Sequence, residues 1–550
     1  MRNETPNERI YPSLTLGIYS EMHNEYDAII IGSGMSGSVA AMEACERGLR
    51  TLVLEAGPTP PKNFFSHETK GTLSLNLVLR LRAILGGNYR EALASYFSRP
   101  LYEIISSTKL PYSIAPGKPY SWTRVRAVNG RGLFWGRLAL RHTQAELEAA
   151  ALDGIGDCWP IKIDELEQYY SKVEAVMNVV GPEKVRAEHR SLLADKSAPL
   201  RPVAQWVNER LTKEFPEMSV YNIRRAEYDK AMLSPMLECA RATGLMTLQD
   251  NSVATALTLS EDGSRATGVE IVDRITKRRT TLQARIIMLG ASSFESIRLL
   301  FNTVHGKHPN GVGNSSGLLG KGVMDHVHTK YFAHIPELAA LVEKHEWNPL
   351  DMKCKTHNGF YIPPFMGSEE DKGFLRCYQI EGTALPRWNT VFFAACGEML
   401  SRNENKITIH PTKKDEWGVP LLHIDIAWSD NELRMIRHQE KTINRIIAAM
   451  GGKKARLMSF LASARELAPG VQRKTIPGMG IHEVGGARMG TNPKKSVTNS
   501  YGQLWDVPNV FVCDGAVLPS MGYQNTTLTI QALAARSAAQ AVMLHQCGDL

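Results

Sequence analysis

The chain is organised around Tyr26-Asp27-Ala28-Ile29-Ile30-Ile31-Gly32-Ser33-Gly34-Met35-Ser36-Gly37. Residues 27–31 form an apolar, β-branched run that predicts a buried strand, and the glycines after it match the pattern G-x-G-x-x-G. Gly32 allows a tight turn, Gly34 leaves room for a pyrophosphate beside the backbone, and Gly37 allows a helix to pack closely on the strand. The stretch therefore predicts a strand that leads into a helix N-terminus, where unpaired N–H groups can face phosphate.

The residues that follow complete a strand–helix–strand unit. An Ala-rich segment, 38–47, predicts a helix that Gly48 ends, and 49–54 predicts a second buried strand. Glu55 ends that strand, close to the spacing of about 20 residues at which an acidic side chain accepts hydrogen bonds from an adenosine ribose. A glycine pattern alone is common, but this sequence of elements predicts a dinucleotide-binding domain.

Length and charge limit the function classes. The 550 residues exceed the roughly 250–300 at which single cores stop growing, so we expect two domains, or one with a large insertion. The net charge of +8 comes from dispersed Lys and Arg, and the one tight cluster, Lys277-Arg278-Arg279, is interpreted as a solvated turn rather than a nucleic-acid patch. We therefore expect no nucleic-acid partner.

Cysteines and apolar segments indicate the compartment. The eight cysteines show no C-x-x-C spacing, which argues against a zinc site, predicts no metal, and fits a reducing compartment. Residues 1–25 lack the basic and then apolar pattern of a signal peptide. The segment Leu73 to Leu85 is interrupted by Arg80 and Arg82, so it predicts an amphipathic internal helix rather than a membrane-surface helix. A cytoplasmic protein without a transmembrane segment is expected.

Two stretches after the first unit are irregular. The prolines of 58–120 predict an excursion from the sheet that serves as an arm or a lid. In 129–137, glycines and Asn129 surround bulky aromatics. This composition suits backbone that lies against a flat ring system, but by itself it fits a plain Gly-rich loop equally well.

The middle of the chain changes pattern. Short strands are predicted at 252–258, 266–273 and 279–284, as a small meander beside the parallel sheet. Residues 284–291 predict a further buried parallel strand, whose carboxyl end is a plausible place for cofactor contact. Helices are predicted over 163–178, most of 203–246, 294–302 and 430–450.

Residues 326–475 have strand-like segments separated by turns, which predicts an antiparallel substrate-binding sheet. In the segment 421–425, alternation places Leu421, His423 and Asp425 on one face. His423 and Asp425 either meet a polyhydroxylated ligand or form only a cross-strand pair.

The final segment contains the second strong signal. Gly480 to Gly490 includes His482, and Val510-Phe511-Val512 predicts a buried strand. Asp514 and Gly515 follow at its carboxyl end, where ligands collect on a parallel sheet. A helix is predicted from Thr526, with its N–H groups again able to face negative charge.

These motifs together resemble the glucose-methanol-choline (GMC) oxidoreductases, FAD-dependent enzymes that oxidise alcohols. The resemblance rests on the N-terminal glycines, 129–137, 159–161, 290–300, 313–326 and 482–530. It implies an α/β fold with a Rossmann-like parallel sheet and a mainly antiparallel substrate sheet. The implied domains are an FAD-binding domain at 20–325 with the insertion 58–120, a substrate-binding domain at 326–475, and a return to the FAD-binding domain at 476–550.

The resemblance also implies the chemistry. His482 is the expected base and Asn525 its partner, and an Asn at the second position is similar to the branch that includes pyranose 2-oxidase and glucoside 3-dehydrogenases. Hydride transfer from a secondary sugar or glycoside hydroxyl, at pyranose C2 or C3, to flavin N5 is the implied reaction. Phe134 stands where that branch has a flavin-attaching histidine, so noncovalent FAD is expected. Gly136 stands where pyranose oxidases have Thr, which leaves oxygen reactivity open.

The expected partners follow from the same resemblance: a sugar or glycoside substrate, an electron acceptor that is O2, a quinone or a redox protein, and possibly a second copy of the chain. The alternatives are an alcohol or polyol dehydrogenase with a non-sugar substrate and a non-redox, lyase-like flavoprotein. The expected cofactor-binding residues are Gly32, Gly34, Met35, Ser36, Gly37, Glu55, Ala56, Arg126, Asn129, Gly130, Gly132, Phe134, Trp135, Gly136, Val253, Ala291, Asp514, Gly515, Asn525, Thr526 and Thr527.

Overall fold

The structure of the chain is a computed structural model. It describes residues 26–60, 111–133, 135–180, 200–216, 218–228, 233–338, 359–362, 373–385, 389–454 and 475–550. The predictions for the N-terminal 25 residues, for the helix Leu73 to Leu85 within the 58–120 excursion, and for Phe134 lie outside the described residues.

The described elements alternate between strands and helices before residue 300 and are mainly strands from there to residue 425. The strands are β1 (Tyr26–Ile31), β2 (Thr51–Leu54), β3 (Ser113–Ile114), β4 (Val179–Val180), β5 (Tyr221–Asn222), β6 (Arg225–Ala226), β7 (Met246–Gln249), β8 (Ser252–Leu259), β9 (Ala266–Asp273), β10 (Arg279–Leu289), β11 (Val327–His334), β12 (Gly359–Ile362), β13 (Tyr378–Leu385), β14 (Thr390–Gly397), β15 (Lys406–Lys414), β16 (Pro420–Asp425), β17 (Lys453–Lys454) and β18 (Val510–Val512). The α-helices are α1 (Met35–Glu46), α2 (Gln144–Leu147), α3 (Ala149–Asp153), α4 (Glu167–Val176), α5 (Pro202–Glu214), α6 (Pro235–Ala242), α7 (Ser293–Asn302), α8 (Asp430–Ala449) and α9 (Thr527–Gln546).

A parallel sheet forms the first layer and confirms the Rossmann-type prediction. Its order is β7-β2-β1-β10, with β18 beyond β10, and these pairings are all parallel. Ile29 on the central strand pairs with Leu52 and Ile287, and all three side chains are buried. The first helix, α1, packs against α9 through small buried residues, because its Ala-rich sequence allows close approach.

The strand β10 differs from the prediction of two separate strands at 279–284 and 284–291. It is one continuous strand that pairs antiparallel with β9 through its first half and parallel with β1 and β18 through its second half. Its first half is mostly exposed and polar, and its second half is buried and apolar. The change in composition therefore reflects a change of environment, not a break in the chain.

The second sheet is antiparallel throughout, as predicted, in the order β17-β11-β14-β13-β12-β5. The helix α8 covers one face, where Gln439 Nε2 donates to Val327 O at 3.1 Å and Thr329 Oγ1 donates to Gln439 Oε1 at 2.9 Å. His328, the residue between Val327 and Thr329, belongs to the opposite face. That face is polar and is turned toward the C-terminal segment.

Several local predictions need correction. The sheet includes β5, so it recruits a strand from before residue 326, and the 203–246 region contains β5 and β6 between its two helices rather than being mostly helical. The helix predicted at 163–178 begins with a 3-10 turn, Ile163–Leu166, and continues as α4. Among the described residues, no helix is long and apolar enough to cross a membrane.

Candidate active site

The glycine turn after β1 has two tight positions and one open position. A Cβ on Gly32, whose φ is +102°, would lie 2.4 Å from Gly290 O, and a Cβ on Gly37 would lie 1.9 Å from Gly32 O. A Cβ on Gly34 would meet no described atom within 4 Å. The turn thus packs tightly on the end of β10 but leaves room at the N-terminus of α1.

The carboxylate of Glu55 joins the end of β2 to this turn. Its Oε2 accepts from Ser33 N at 3.2 Å and from Ser33 Oγ at 2.6 Å, and its Oε1 accepts from Gly57 N at 2.9 Å. Burial raises the pKa of Glu55 above its usual value, against the opposing effect of these hydrogen bonds. Glu55 therefore supports the turn, and two carboxylate oxygens still have lone pairs for further donors.

The 129–133 loop lies on the same turn. Asn129 N donates to Ser33 Oγ at 3.1 Å, and a Cβ on Gly130 would lie 3.5 Å from Gly34 Cα. Asn129 has a φ of +75°, and its Oδ1 is buried without a hydrogen-bond partner among the described residues. Buried polar atoms are normally paired, so this oxygen is available to a donor of a bound molecule.

Arg131 links this loop to two other segments. Its Nη1 donates to Ile481 O at 2.9 Å and to Glu483 Oε2 at 2.5 Å, and its Nη2 donates to Ser292 Oγ at 2.9 Å. Ser292 belongs to the turn between β10 and α7, so the guanidinium joins three parts of the sequence at one place.

Asp514 caps the turn that follows β18. Its Oδ1 accepts from Ala516 N at 3.0 Å and its Oδ2 accepts from Ser296 Oγ at 2.5 Å. Burial raises the pKa of Asp514 to about 6. A Cβ on Gly515 would lie 2.9 Å from Ser293 Oγ, so the glycine allows this turn to pack on the start of α7.

His482 is held through its backbone by Asp325. Asp325 Oδ1 accepts from His482 N at 2.8 Å, and Oδ2 accepts from Gly480 N at 2.9 Å. Between them Ile481 has a φ of +61°, which is unfavourable for a β-branched residue. Such strain persists only where neighbouring contacts enforce it, and it often occurs at functional sites.

The ring of His482 faces a second histidine. Its Nδ1 lies 2.9 Å from Nδ1 of His326, and Nε2 of His326 lies 3.0 Å from Gly522 O. Burial, with the positive charges of Arg131 and Lys330, lowers the pKa of His482 to about 3. The ring is therefore neutral and able to accept a proton.

Asn525 lies beside the polar face of the antiparallel sheet. Its Oδ1 accepts from Gln379 Nε2 at 3.4 Å, and its side chain also hydrogen-bonds Glu381. Gln379 pairs in register with Cys396, which hydrogen-bonds Gln379 and lies within 4.8 Å of ring nitrogens of His326 and His482. His482 and Asn525 are thus brought to one buried site by groups from β13 and β14.

The grouping of His326, Cys396 and His482 also satisfies a distance criterion for a metal site. Two nitrogens bound to one tetrahedral zinc at about 2.0–2.1 Å would lie roughly 3.3 Å apart. The two Nδ1 atoms are 2.9 Å apart, which is the length of a hydrogen bond. We therefore interpret the pair as hydrogen-bonded rather than as two metal ligands.

Comparison with known proteins gives consistent results. The model of the GMC oxidoreductase family matches residues 401–534, and that of the NAD(P)-binding Rossmann-like domain matches residues 30–99. The chain is 25% identical over 563 residues to 2-methyl-1,2-propanediol dehydrogenase from Mycolicibacterium austroafricanum, with 94% of each chain covered. The chain therefore resembles the GMC oxidoreductases. It is an FAD-dependent oxidoreductase.

Further relatives match most of the chain or about half of it. Paromamine 6'-oxidase from Streptomyces fradiae is 25% identical over 555 residues, covering 93% of this chain and 90% of the relative. C-glycoside 3-oxidase from Arthrobacter globiformis is 25% identical over 321 residues, covering 55% of this chain and 54% of the relative. The structure of a formate oxidase from Aspergillus oryzae superposes with a TM-score of 0.64 at 14% identity, covering 95% of this chain and 99% of that one, which shows a shared fold.

The residues of the N-terminal site fit an FAD pyrophosphate. The N-terminus of α1 begins at Gly34, which has no side chain to cap the first N–H groups, and the space beside it is open. Unpaired N–H groups at a helix N-terminus favour an anion. Asn129 and Glu55 add an unpaired buried acceptor and a carboxylate at the same place, as a donor-rich cofactor requires.

The remaining predicted cofactor residues are less closely grouped. Ala56 packs against a small apolar cluster that contains Val253 and Trp417, and the Arg126 guanidinium lies 4.7 Å from the Trp417 ring. Trp135 Nε1 donates to Tyr228 OH at 2.9 Å. Ala291 follows Gly290, which contacts the glycine turn, and Thr526 and Thr527 begin α9. The roles of these residues in cofactor binding stay predictions.

The structure does not bring His423 and Asp425 to His482. Both lie on β16, which belongs to a separate sheet of order β15-β16-β3. His423 Nδ1 lies 3.0 Å from Ser113 Oγ, and Asp425 forms an ion pair with Lys118. One polar atom of each side chain thus has a partner from β3 or from the residues just after it, which fits the alternative of a structural cross-strand role.

The sequence motifs did not identify the residues that hydrogen-bond His482 and Asn525. Asp325 and His326 stand in the 313–326 motif, whose sequence does not show that either residue contacts His482. Gln379 and Glu381 alternate along a strand, and this spacing alone could have placed them on one face. Nothing in the sequence shows that this face meets Asn525.

Proposed function

We propose that this FAD-dependent oxidoreductase oxidises a secondary hydroxyl of a sugar or glycoside, at pyranose C2 or C3, to a ketone. In this proposal His482 takes the hydroxyl proton and Asn525 holds the same oxygen by a hydrogen bond. Bound FAD supplies the acceptor for the hydride that leaves the carbon. The observation that carries the proposal is the placement of a neutral, half-buried His482 and of Asn525 at one site beside a polar sheet face.

The sheet face supports a substrate with several hydroxyl groups. Gln379 is buried, and its Oε1 has no partner among the described residues. Glu381 is one pleat further along the same face, and Gln379 Nε2 donates to its Oε1 at 2.7 Å. An unpaired amide oxygen and a half-buried carboxyl next to Asn525 are acceptors that vicinal hydroxyl groups can satisfy. The name of the C-glycoside 3-oxidase relative points to the same substrate class.

A second candidate is the oxidation of a non-sugar alcohol or diol. It is favoured by the similarity to 2-methyl-1,2-propanediol dehydrogenase, which spans 94% of both chains. A small diol has too few hydroxyl groups to satisfy Asn525, Gln379 and Glu381 together, whereas a pyranoside can satisfy all three.

Anaerobic stopped-flow spectroscopy tests the proposal. The holoenzyme is mixed with D-glucose, methyl glucosides, a C-glycoside and 1,2-diols, and flavin bleaching is measured. Fast bleaching with a pyranoside and slow bleaching with diols is expected, and NMR of the product then identifies the oxidised carbon. Preferential bleaching with the diols would establish the second candidate instead, and no bleaching with any of these alcohols would contradict both.

Two variants separate chemistry from recognition. His482→Ala is expected to lower the rate of flavin reduction by about 10²–10⁴-fold, the usual contribution of a general base. Gln379→Leu, of similar size, is expected to raise the apparent Kd of the pyranoside by about 10-fold and that of a diol by less. Flavin reduction at the native rate in His482→Ala would exclude His482 as the base.

We also propose that FAD is bound noncovalently. Residues 127–137 contain no histidine, and no other residue of that loop is an ordinary attachment point for a flavin. Precipitation of the holoenzyme with acid is expected to leave the flavin in the supernatant, and flavin in the pellet would contradict this. Turnover with O2, a quinone and a dye then identifies the electron acceptor.

A further inference from the structure

The hydrogen bonds of His326 determine which nitrogen of each ring carries a proton. His326 Nε2 lies 3.0 Å from Gly522 O, and a carbonyl oxygen can only accept. Nε2 of His326 is therefore protonated. Burial and the neighbouring His482 hold the pKa of His326 well below its usual value, so the ring is neutral and has one N–H only. Nδ1 of His326 is consequently the acceptor.

This assignment fixes the tautomer of His482. The two Nδ1 atoms lie 2.9 Å apart, and the proton between them must belong to His482 because Nδ1 of His326 has none. The rings are nearly perpendicular, with an interplanar angle of 85°, which allows an in-plane N–H of one ring to meet the lone pair of the other. Nε2 of His482 then carries the free lone pair.

We propose that His326 is a positioning residue that sets the tautomer of His482 and stabilises the imidazolium that forms during the reaction. The inference rests on the proposed function, in which His482 is the base. When the substrate O–H bond breaks, its electron pair stays on oxygen and the proton forms a new N–H bond at His482 Nε2. The positive charge then strengthens the existing hydrogen bond from His482 Nδ1 to His326, because charge-assisted hydrogen bonds are stronger than neutral ones.

The surroundings explain why such support is needed. Arg131 and Lys330 place positive charge near His482, and burial removes water, so both oppose the imidazolium. His328 is a further neutral ring, 6.4 Å from His482 between centroids, and burial lowers its pKa as well. His326 is the group among the described residues whose lone pair is aimed at His482 Nδ1.

His326 also connects the two halves of the catalytic pair. Gly522 stands three residues before Asn525, in the loop that leads to α9. Through His326 the His482 ring is tied to the backbone of that loop by two consecutive hydrogen bonds. The separation between base and hydrogen-bond partner therefore depends on this side chain.

Three substitutions of His326 test the proposal, because each retains a different set of hydrogen-bonding groups. His326→Asn places Oδ1 near the position of Nδ1 and keeps an acceptor for His482, whereas His326→Gln keeps a donor toward Gly522 and loses that acceptor. His326→Leu loses both. The pyranoside that bleaches the wild-type flavin fastest is used in anaerobic stopped-flow measurements of the reduction rate and of substrate Kd.

We expect His326→Leu and His326→Gln to lower the reduction rate on the order of 10²-fold, with substrate Kd within about threefold of wild type. His326→Asn should retain the rate to within about 10-fold. A merely structural role predicts that Gln, the closer match in length and donor position, is tolerated at least as well as Asn. A Gln variant that reduces flavin at least as fast as the Asn variant, or a Leu variant with the wild-type rate, would overturn the inference.

His482→Ala distinguishes this inference from the proposed function. If that variant reduces flavin at the native rate, the proposed function fails whatever the His326 variants show. If it does not, and the Asn variant is as slow as the Leu variant in folded holoenzyme, only the role of His326 is overturned. Thermal unfolding followed by flavin fluorescence shows that each variant is folded and loaded.

Discussion

Arg131 donates to Glu483 across 352 residues of sequence, and this contact joins the loop over the glycine turn to the segment that carries His482. The Glu483 side chain is fully buried, whereas a quarter of the Arg131 side chain is exposed. Arg131 donates to Glu483 Oε2, and Oε1 has no hydrogen-bond partner among the described residues. The guanidinium is therefore the main compensation for a buried carboxylate.

Removal of Arg131 should destabilise the protein strongly. Arg131→Met leaves Glu483 charged and unpaired, which costs about 3–5 kcal/mol in buried pairs. The double variant with Glu483→Gln should recover part of the loss, as a thermal-unfolding double-mutant cycle would show. Arg241→Met, which breaks an exposed pair with Glu238, is the control and should change the unfolding midpoint little. Additive effects of the two substitutions at the buried pair would contradict the coupling.

The open position of the glycine turn provides a test of cofactor placement. A Cβ on Gly34 meets no protein atom within 4 Å and its φ is −68°, so Gly34→Ala should fold normally. The added methyl group would occupy the space where the FAD pyrophosphate is predicted, so FAD affinity should fall at least about 10-fold, as titration of the apoprotein with FAD would measure. Gly306→Ala, at another open position, should bind FAD as the wild type does. Unchanged affinity in Gly34→Ala would place the pyrophosphate elsewhere.

The parts of the fold that follow from local pattern could be predicted from the sequence. The strand β1, the glycine turn and α1 depend on neighbouring residues, because apolar β-branched runs, tight turns and Ala-rich helices are local preferences. The resemblance then implied His482 and Asn525. The structure adds that each is held by groups far away in the sequence, such as Asp325 and Gln379.

The rest depends on sheet register and packing, which local pattern does not determine. His423 and Gln379 both stand on strands with polar alternation, and nothing local distinguishes them. Gln379 faces Asn525 because α8 covers the other face of its sheet, whereas His423 lies on a small sheet whose neighbour is Ser113. The two alternatives for His423, ligand contact and a cross-strand pair, therefore could not be separated without this tertiary environment.

The two backbone hydrogen bonds that Asp325 accepts, from Gly480 and His482, predict that its substitution lowers the rate of flavin reduction selectively. Asp325→Asn keeps one acceptor oxygen and turns an NH2 group toward a backbone N–H, so one hydrogen bond is lost and about 1–3 kcal/mol of stability with it. Because Ile481 is then free to leave its positive φ, the His482 ring should shift and the rate of flavin reduction should fall more than substrate Kd changes. Asp262→Asn, in an exposed turn, is the control. A reduction rate equal to the wild type would show that the strained backbone is not needed.

Glu146 predicts a pH dependence of stability. Its Oε1 accepts from Tyr523 N at 3.0 Å and Gln524 N at 3.3 Å, so it anchors the loop that carries Asn525. Burial raises its pKa from 4.5 to about 7. Between these two values the folded protein holds a proton that the unfolded chain releases. The contribution of Glu146 to the free energy of unfolding should therefore be highest below pH 4.5. It should fall as pH rises to about 7, by at most about 1.4 kcal/mol per pH unit.

Glu146→Gln removes this titration, so the decrease in the unfolding midpoint between pH 5 and pH 8 should become shallower than in the wild type. A residual slope is expected because burial also raises the pKa of Glu398 to about 7. Glu148→Gln, at an exposed position in the same turn, should leave the slope unchanged. Midpoints are measured by flavin fluorescence at fixed ionic strength. An identical slope in Glu146→Gln and the wild type would mean that Glu146 is ionised in the folded protein throughout this range, and that its hydrogen bonds to the Asn525 loop outweigh its burial.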